Sequence, residues 1–134
     1  MTKVESRIGK IEAQDETIYK FLSDFNNFRD LVPMDKISNW ESSEDHCSFS
    51  INGIGDVGLN IVEKEPFSTI KYGGDSLANV SFNLWIQLKR VDDTDTRVKI
   101  TLKADLNTML SMIAKKPLQD FVNILVDKLE EYQF

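Results

Sequence analysis

Apolar positions near the end of the chain fall at Leu118, Phe121, Val122, Leu125, Val126, Leu129 and Tyr132, the spacing of one helical face. Gln119, Asp120, Asn123, Asp127, Glu130 and Glu131 occupy the other side, so the pattern predicts a single amphipathic helix lying across a core, with Ile124 off the stripe. Upstream, Met109, Leu110, Met112 and Ile113 also read as helix, with Asn107 or Thr108 as the cap. Pro117 lacks an N–H and restricts Lys116, which predicts a kink or restart near residues 114–117 and leaves residues 109–113 as a lid over whatever the helix covers.

Before this helix the dominant period is two. Lys3 to Ile11 reads as a first strand, with Val4, Ser6 and Ile8 on one face. Asp15 is the expected N-cap of a helix carrying Ile18, Phe21, Leu22, Phe25 and Phe28 on one side and closed by Pro33. Ile37 to Ser43, Cys47 to Ile51, Val57 to Glu63, Ser68 to Tyr72, Val80 to Lys89 and Arg97 to Ala104 follow as strands. Asn52-Gly53 is a hairpin signal between the second and third of these. Gly53, Gly55 and Gly58 match the Gly-x-Gly-x-x-Gly spacing of a dinucleotide fingerprint, but a strand follows rather than a helix, so they read as a hairpin with glycines permitting a bulge or sharp curvature.

The last two strands constrain each other. Phe82, Leu84, Ile86 and Leu88 alternate with polar residues, as do Val98, Ile100, Leu102 and Ala104, so matching the apolar faces requires an odd-membered loop centred near Asp93 or Thr94. The same parity places Trp85 on the polar face with Gln87, Lys99, Thr101 and Lys103, as a ring packed over lysine stems or as an interaction surface.

The 134 residues suffice for one domain, residues 1–134, with one core. A start without a signal-peptide pattern and the lack of any long apolar run predict a cytoplasmic chain with no membrane span. The net charge of −6 argues against a nucleic-acid partner, which needs clustered Lys and Arg. Cys47 is the sole cysteine and His46 the sole histidine, so internal disulfides are excluded and no metal site or Ser-His-Asp constellation is expected. Cys47 reads as a small buried hydrophobe.

Strand, helix with a short second turn, antiparallel strands and long C-terminal helix: this order resembles the helix-grip fold of the START-like (SRPBCC) superfamily, which includes the birch-pollen-allergen type and polyketide cyclase-like proteins. The segments Cys47-Ser-Phe-Ser-Ile-Asn-Gly, Val62-Glu-Lys-Glu-Pro66 and Ala114-Lys-Lys-Pro-Leu-Gln-Asp-Phe-Val122 look like a small bacterial branch of it. The resemblance implies an α+β fold in which a curved antiparallel sheet of about six or seven strands wraps the C-terminal helix. It also implies an apolar cavity between the two, where members hold lipids, sterols or polyketides.

The leading expectation is therefore non-catalytic binding of a small hydrophobic molecule, lipid-like or polyketide-like, by a monomer or homodimer without cofactor. The expected ligand-binding residues are Phe49, Ile51, Leu59, Ile61, Tyr72, Phe82, Leu84, Ile86, Met109, Met112, Phe121 and Leu125. The methionines suit variable ligands, and a Tyr72 hydroxyl can orient one. An alternative, a cyclase- or hydrolase-like enzyme, would draw on Ser6, Glu63, Tyr72 or His46. A third, a protein-interaction or dimerisation domain, would use Trp85 or Ile124.

Overall fold

The two strongest alternating segments pair as their parity requires. In the computed structural model, which describes residues 2–32, 35–52, 55–76 and 81–134, β7 (Ser81–Asp92) runs antiparallel to β8 (Asp95–Ala104). Leu84 lies opposite Leu102, Ile86 opposite Ile100 and Leu88 opposite Val98, a ladder centred on Asp93. A register shift between Arg90 and Asp92 takes up one residue, so the chain reverses tightly at Asp93 and Thr94.

The other strands are β1 (Thr2–Glu5), β2 (Gly9–Ile11), β3 (Ile37–Ser42), β4 (His46–Ile51), β5 (Gly55–Glu65) and β6 (Thr69–Ser76). They join into one antiparallel eight-stranded sheet, ordered β1-β8-β7-β6-β5-β4-β3, with β2 beside β8. The β4–β5 hairpin forms, and Gly55 at its start has φ 124°, a conformation closed to most side chains. Gly53 lies outside the described residues. The ladder runs through Gly58 without a shift, so no bulge is centred there.

The first strand departs from its expected form. Glu5 pairs with Thr101 but Gly9 with Val98, so three residues on one strand oppose two on the other. That extra residue reverses the parity. Val4 and Ser6 stay buried, Ile8 turns outward at 66 % exposure, and Gly9 and Ile11 take the inner face. At the break Ser6 receives the Ile100 N–H on its Oγ at 2.8 Å, and its own N–H donates to the Ile100 carbonyl at 2.8 Å.

Between β2 and β3 the expected single helix is two. α1 spans Asp15–Leu22 and a 3-10 helix spans Phe25–Asp30. Ser23 Oγ donates to the Tyr19 carbonyl, and the Asp24 carboxylate accepts the Asn26 N–H, which ends one helix and caps the next. Gln14, not Asp15, precedes α1; Asp15 lies inside the first turn and accepts the Glu16 N–H. Ile18, Leu22, Phe25 and Phe28 are all buried.

The C-terminal helix corrects another expectation. α2 runs unbroken from Thr108 to Glu131 through Pro117, and the Asn107 side chain accepts the Leu110 N–H at 2.9 Å. Proline removes one helical hydrogen bond, to the carbonyl of Ile113, an exposed residue, while Ala114, Leu118 and Phe121 remain buried on either side. Met109 and Met112 thus begin a continuous helix rather than a separate turn.

α2 lies along the β1–β2 edge. Gln119 Nε2 donates to the Glu5 carbonyl at 2.6 Å, Asn123 Oδ1 accepts the Arg7 N–H at 3.0 Å, and Glu130 Oε2 accepts the Lys10 N–H at 2.9 Å. The Arg7 guanidinium bridges Asp127 and Glu130. A side chain on Gly9 would place its Cβ 2.4 Å from Val126 Cγ1, so the close approach of strand and helix needs a glycine there.

Gly9→Ala should therefore lower the unfolding free energy by about 1–3 kcal/mol, the usual range for overpacking, as read from a urea denaturation midpoint. A second expectation concerns pH. The Arg7 guanidinium holds the Glu130 carboxyl below its ordinary value. A depressed folded pKa contributes stability that is present above the unfolded carboxylate value of about 4.3 and lost as pH falls through the folded pKa. Denaturation midpoints measured from pH 6 downward should fall less steeply in Glu130→Gln than in the native protein.

Candidate functional site

Beneath the first half of α2 the sheet and helix do not close completely. Twelve side chains line a cavity there, and all are hydrocarbon. β4 supplies Phe49 and Ile51, β5 Val57 and Leu59, β7 Phe82 and Leu84, and β8 Leu102 and Ala104. Leu106 precedes the helix, and Ala114, Leu118 and Phe121 form its roof. They bound a cavity of about 70 Å³ that opens at its mouth to solvent.

The gap has a structural origin. The close backbone approaches of α2 are to β1, β2 and β8, at one side of the sheet. Towards β4 and β5 the helix is held off by side chains, among them a file of aromatics. Phe121 stacks on Phe49 at 6.2 Å between centroids, and Phe49 on Trp40 at 5.4 Å. On β7 the half-buried Phe82 lies over Gly74, where any Cβ would sit 2.3 Å from its ring.

Six of the twelve residues expected to contact ligand meet in this lining: Phe49, Ile51, Leu59, Phe82, Leu84 and Phe121. The others lie elsewhere. Ile86 and Leu125 are buried deeper in the core, and Ile61 packs partly buried against it beside a register shift in β5. Met109 and Met112 are 72 % and 80 % exposed, because continuous helix through Pro117 turns them to the face opposite Ala114 and Leu118. Tyr72 is fully buried among Phe25 and Phe28, at 5.3 and 5.6 Å, and its hydroxyl donates to the Leu22 carbonyl at 2.8 Å. Its polar end is thus engaged at the end of α1.

Ala114 and Leu106 were not singled out from sequence, although Ala114 continues the stripe one turn upstream of Leu118. Reading Pro117 as a break concealed that continuity. Trp40 was missed because β3 does not alternate.

Groups considered for chemistry are placed apart from the lining. Glu63 and His46 are exposed, and Ser6 is spent on the β1–β2 break. Burial pushes the Cys47 thiol up to about 12, so it stays protonated at neutral pH. Trp85 lies on the outer sheet face with the ammonium groups of Lys71 and Lys103 at 5.4 and 5.6 Å from its ring centre, a cation–π arrangement. Beside it Lys3 and Lys99 pair with Glu5, and hydrogen bonds from both lysines hold that carboxyl down at about 2. Among the described residues no group of acidic, Cys and His side chains is arranged to hold a metal ion, and no helix is long and apolar enough to cross a membrane.

A curved antiparallel sheet gripping a long C-terminal helix over an apolar cavity defines a START-like helix-grip fold. No described protein family and no curated protein matches the chain as a sequence, but solved structures match it over nearly its full length. A START superfamily protein from Mycobacterium smegmatis is 16 % identical with a TM-score of 0.65, over 96 % of this chain and 97 % of that one. A conserved protein from Geobacillus kaustophilus is 17 % identical with a TM-score of 0.64, over 97 % and 96 %. The Aha1 dimer from Colwellia psychrerythraea is 22 % identical with a TM-score of 0.60, over 97 % of each chain. At these identities the likeness concerns the fold.

Removal of the buried hydroxyl tests the placement of Tyr72. Tyr72→Phe should cost about 1–2 kcal/mol in chemical denaturation, because the Leu22 carbonyl loses its donor. The affinity of the variant for an apolar probe should remain that of the native protein.

Proposed function

We propose that the protein binds a small apolar molecule, lipid-like or polyketide-like, between the sheet and the first half of α2, without transforming it. The observation that carries this reading is the all-hydrocarbon lining, gathered from four strands and the helix, in a fold that characteristically encloses such a site. Side chains able to take or give a proton do not figure among the twelve, which favours holding over chemistry.

The present width bears on how a ligand enters. Ligand pockets usually run from about 300 Å³ upward, so the roof must lift to admit a molecule of that size. α2 is suited to do so. Its second half is tied to β1 and β2 through Gln119, Asn123, Asp127 and Glu130, whereas Pro117 deprives the junction with the first half of one hydrogen bond. Residues 108–116 can tilt outward about that junction, giving up the single Thr2 Oγ1 to Ser111 Oγ hydrogen bond to β1, while the rest of the helix stays docked.

N-phenyl-1-naphthylamine, a neutral fluorescent probe, tests the reading, together with native mass spectrometry of protein purified from cells. The native protein should bind the probe saturably with enhanced fluorescence. Ala114→Leu, whose added carbons occupy the empty space under the roof, should weaken binding at least tenfold while changing stability by no more than about 1 kcal/mol. Absence of probe binding together with absence of any copurifying mass would sink the proposal. Full binding by Ala114→Leu would place the probe elsewhere and remove this cavity from the argument.

A further inference from the structure

The aromatic file beside the cavity carries one polar atom, the indole Nε1 of Trp40. It is buried and has no hydrogen-bond partner among the described residues. Buried donors in folded proteins are nearly always paired, since an unmet N–H forfeits its hydration with nothing in return. This one calls for an acceptor.

Its position follows from an irregularity in β3. Ser38 pairs with Ser50 but Glu41 with Ser48, so Asn39 and Trp40 together oppose the single residue Phe49. Asn39 takes up the extra residue at φ 57°, a value that asparagine tolerates better than most. Phe49 points inward, and Trp40 lies stacked on it with an interplanar angle of 27°. β3 is the sheet edge, and at this bulge a groove opens, lined by Trp40, Phe49 and Val57 with the polar Glu41, Ser48 and Asp56 among others. Phe49 and Val57 also line the cavity, so groove and cavity share a wall.

We propose that Trp40 is the polar anchor of the ligand site. Its indole N–H donates to an oxygen acceptor on the ligand, a carbonyl, ether or hydroxyl, while the apolar body runs along Phe49 into the cavity. The inference rests on the binding reading above and narrows its ligand class. Glu41 and Asp56 border the same groove and repel a carboxylate, so the ligand is a neutral oxygenated lipid-like molecule rather than an ionised fatty acid. An indole N–H donates only, which selects an acceptor over a donor.

A matched pair of probes, 2-octanone and n-nonane, distinguishes an anchored oxygen from simple apolar filling. Binding is titrated by one- and two-dimensional NMR on nitrogen-15-labelled protein, whose two indole signals, Trp40 and Trp85, are assigned with Trp85→Phe. The Trp40 indole proton should move downfield with 2-octanone and not with n-nonane, and the Trp85 signal should stay fixed with both. Trp40→Phe, which keeps a ring over Phe49 but removes the N–H, should weaken 2-octanone about fivefold, the net worth of one neutral hydrogen bond, and leave n-nonane unchanged. If both probes bind but the Trp40 proton does not move with the ketone, or the variant weakens both equally, Trp40 is not the anchor and the binding reading still stands. If neither probe binds, the anchor falls, and the binding reading is decided separately by N-phenyl-1-naphthylamine and the copurifying mass. Should Trp40→Phe fail to fold, the native spectrum alone decides.

Discussion

The structure depends on the docking of one helix along one sheet edge. β1 and β2 flank β8 and would present unpaired backbone groups to solvent, the exposure that edge strands must avoid. α2 covers them. Gln119, Asn123 and Glu130 meet the Glu5 carbonyl and the Arg7 and Lys10 N–H groups, while Arg7 spans Asp127 and Glu130. The absence of a side chain at Gly9 lets the apolar stripe of α2, at Val122, Val126 and Leu129, bury fully at the same time. One helix thus closes the core with its inner face and protects the edge with its flank. Because that attachment lies at one side of the sheet, the opposite side is spanned only by side chains, and the cavity occupies the remainder.

Much of this was legible in the sequence wherever a period was long and unbroken. The eight apolar positions of Phe82 to Leu88 and Val98 to Ala104 set the register of β7 on β8, and the stripe from Leu118 to Leu129 set the buried face of α2. What remained hidden turned on single residues. One extra residue near Ser6 sends Ile8 outward, and one near Asn39 brings Trp40 against Phe49. A bulge leaves composition almost untouched yet reverses every parity beyond it. Pro117 misled in the opposite direction, since its steric preference is local and was outweighed by the burial of Ala114, Leu118 and Phe121. Half of the expected site residues line the cavity for the same reason: facing inward is a matter of parity, but facing the gap depends on where the helix is held off.

The polar side of α2 also shows where amphipathic patterns are ambiguous. Gln119, Asn123, Asp127 and Glu130 read as a solvated face, and their residue types alone give no sign of backbone partners. Only the spacing, four, four and three residues apart, aligns them along one flank that can follow a strand. Tyr72 illustrates the same limit inside the core. A buried tyrosine needs a partner for its hydroxyl, and the sequence cannot say whether that partner is a ligand or the Leu22 carbonyl.

An apolar gap in the packing is itself a cost, because the side chains that line it forgo contacts a filled core would supply. Filling the gap from within takes no more than a larger residue at Ala104 or Ala114, both of which line it. The small side chains are therefore where the fold keeps space instead of density, and they sit under the part of α2 that is held to β1 through the Thr2–Ser111 hydrogen bond and has one backbone bond fewer at Pro117. The gap in the packing and the indole N–H of Trp40, without a partner among the described residues, are both features that an occupant of the proposed kind would relieve.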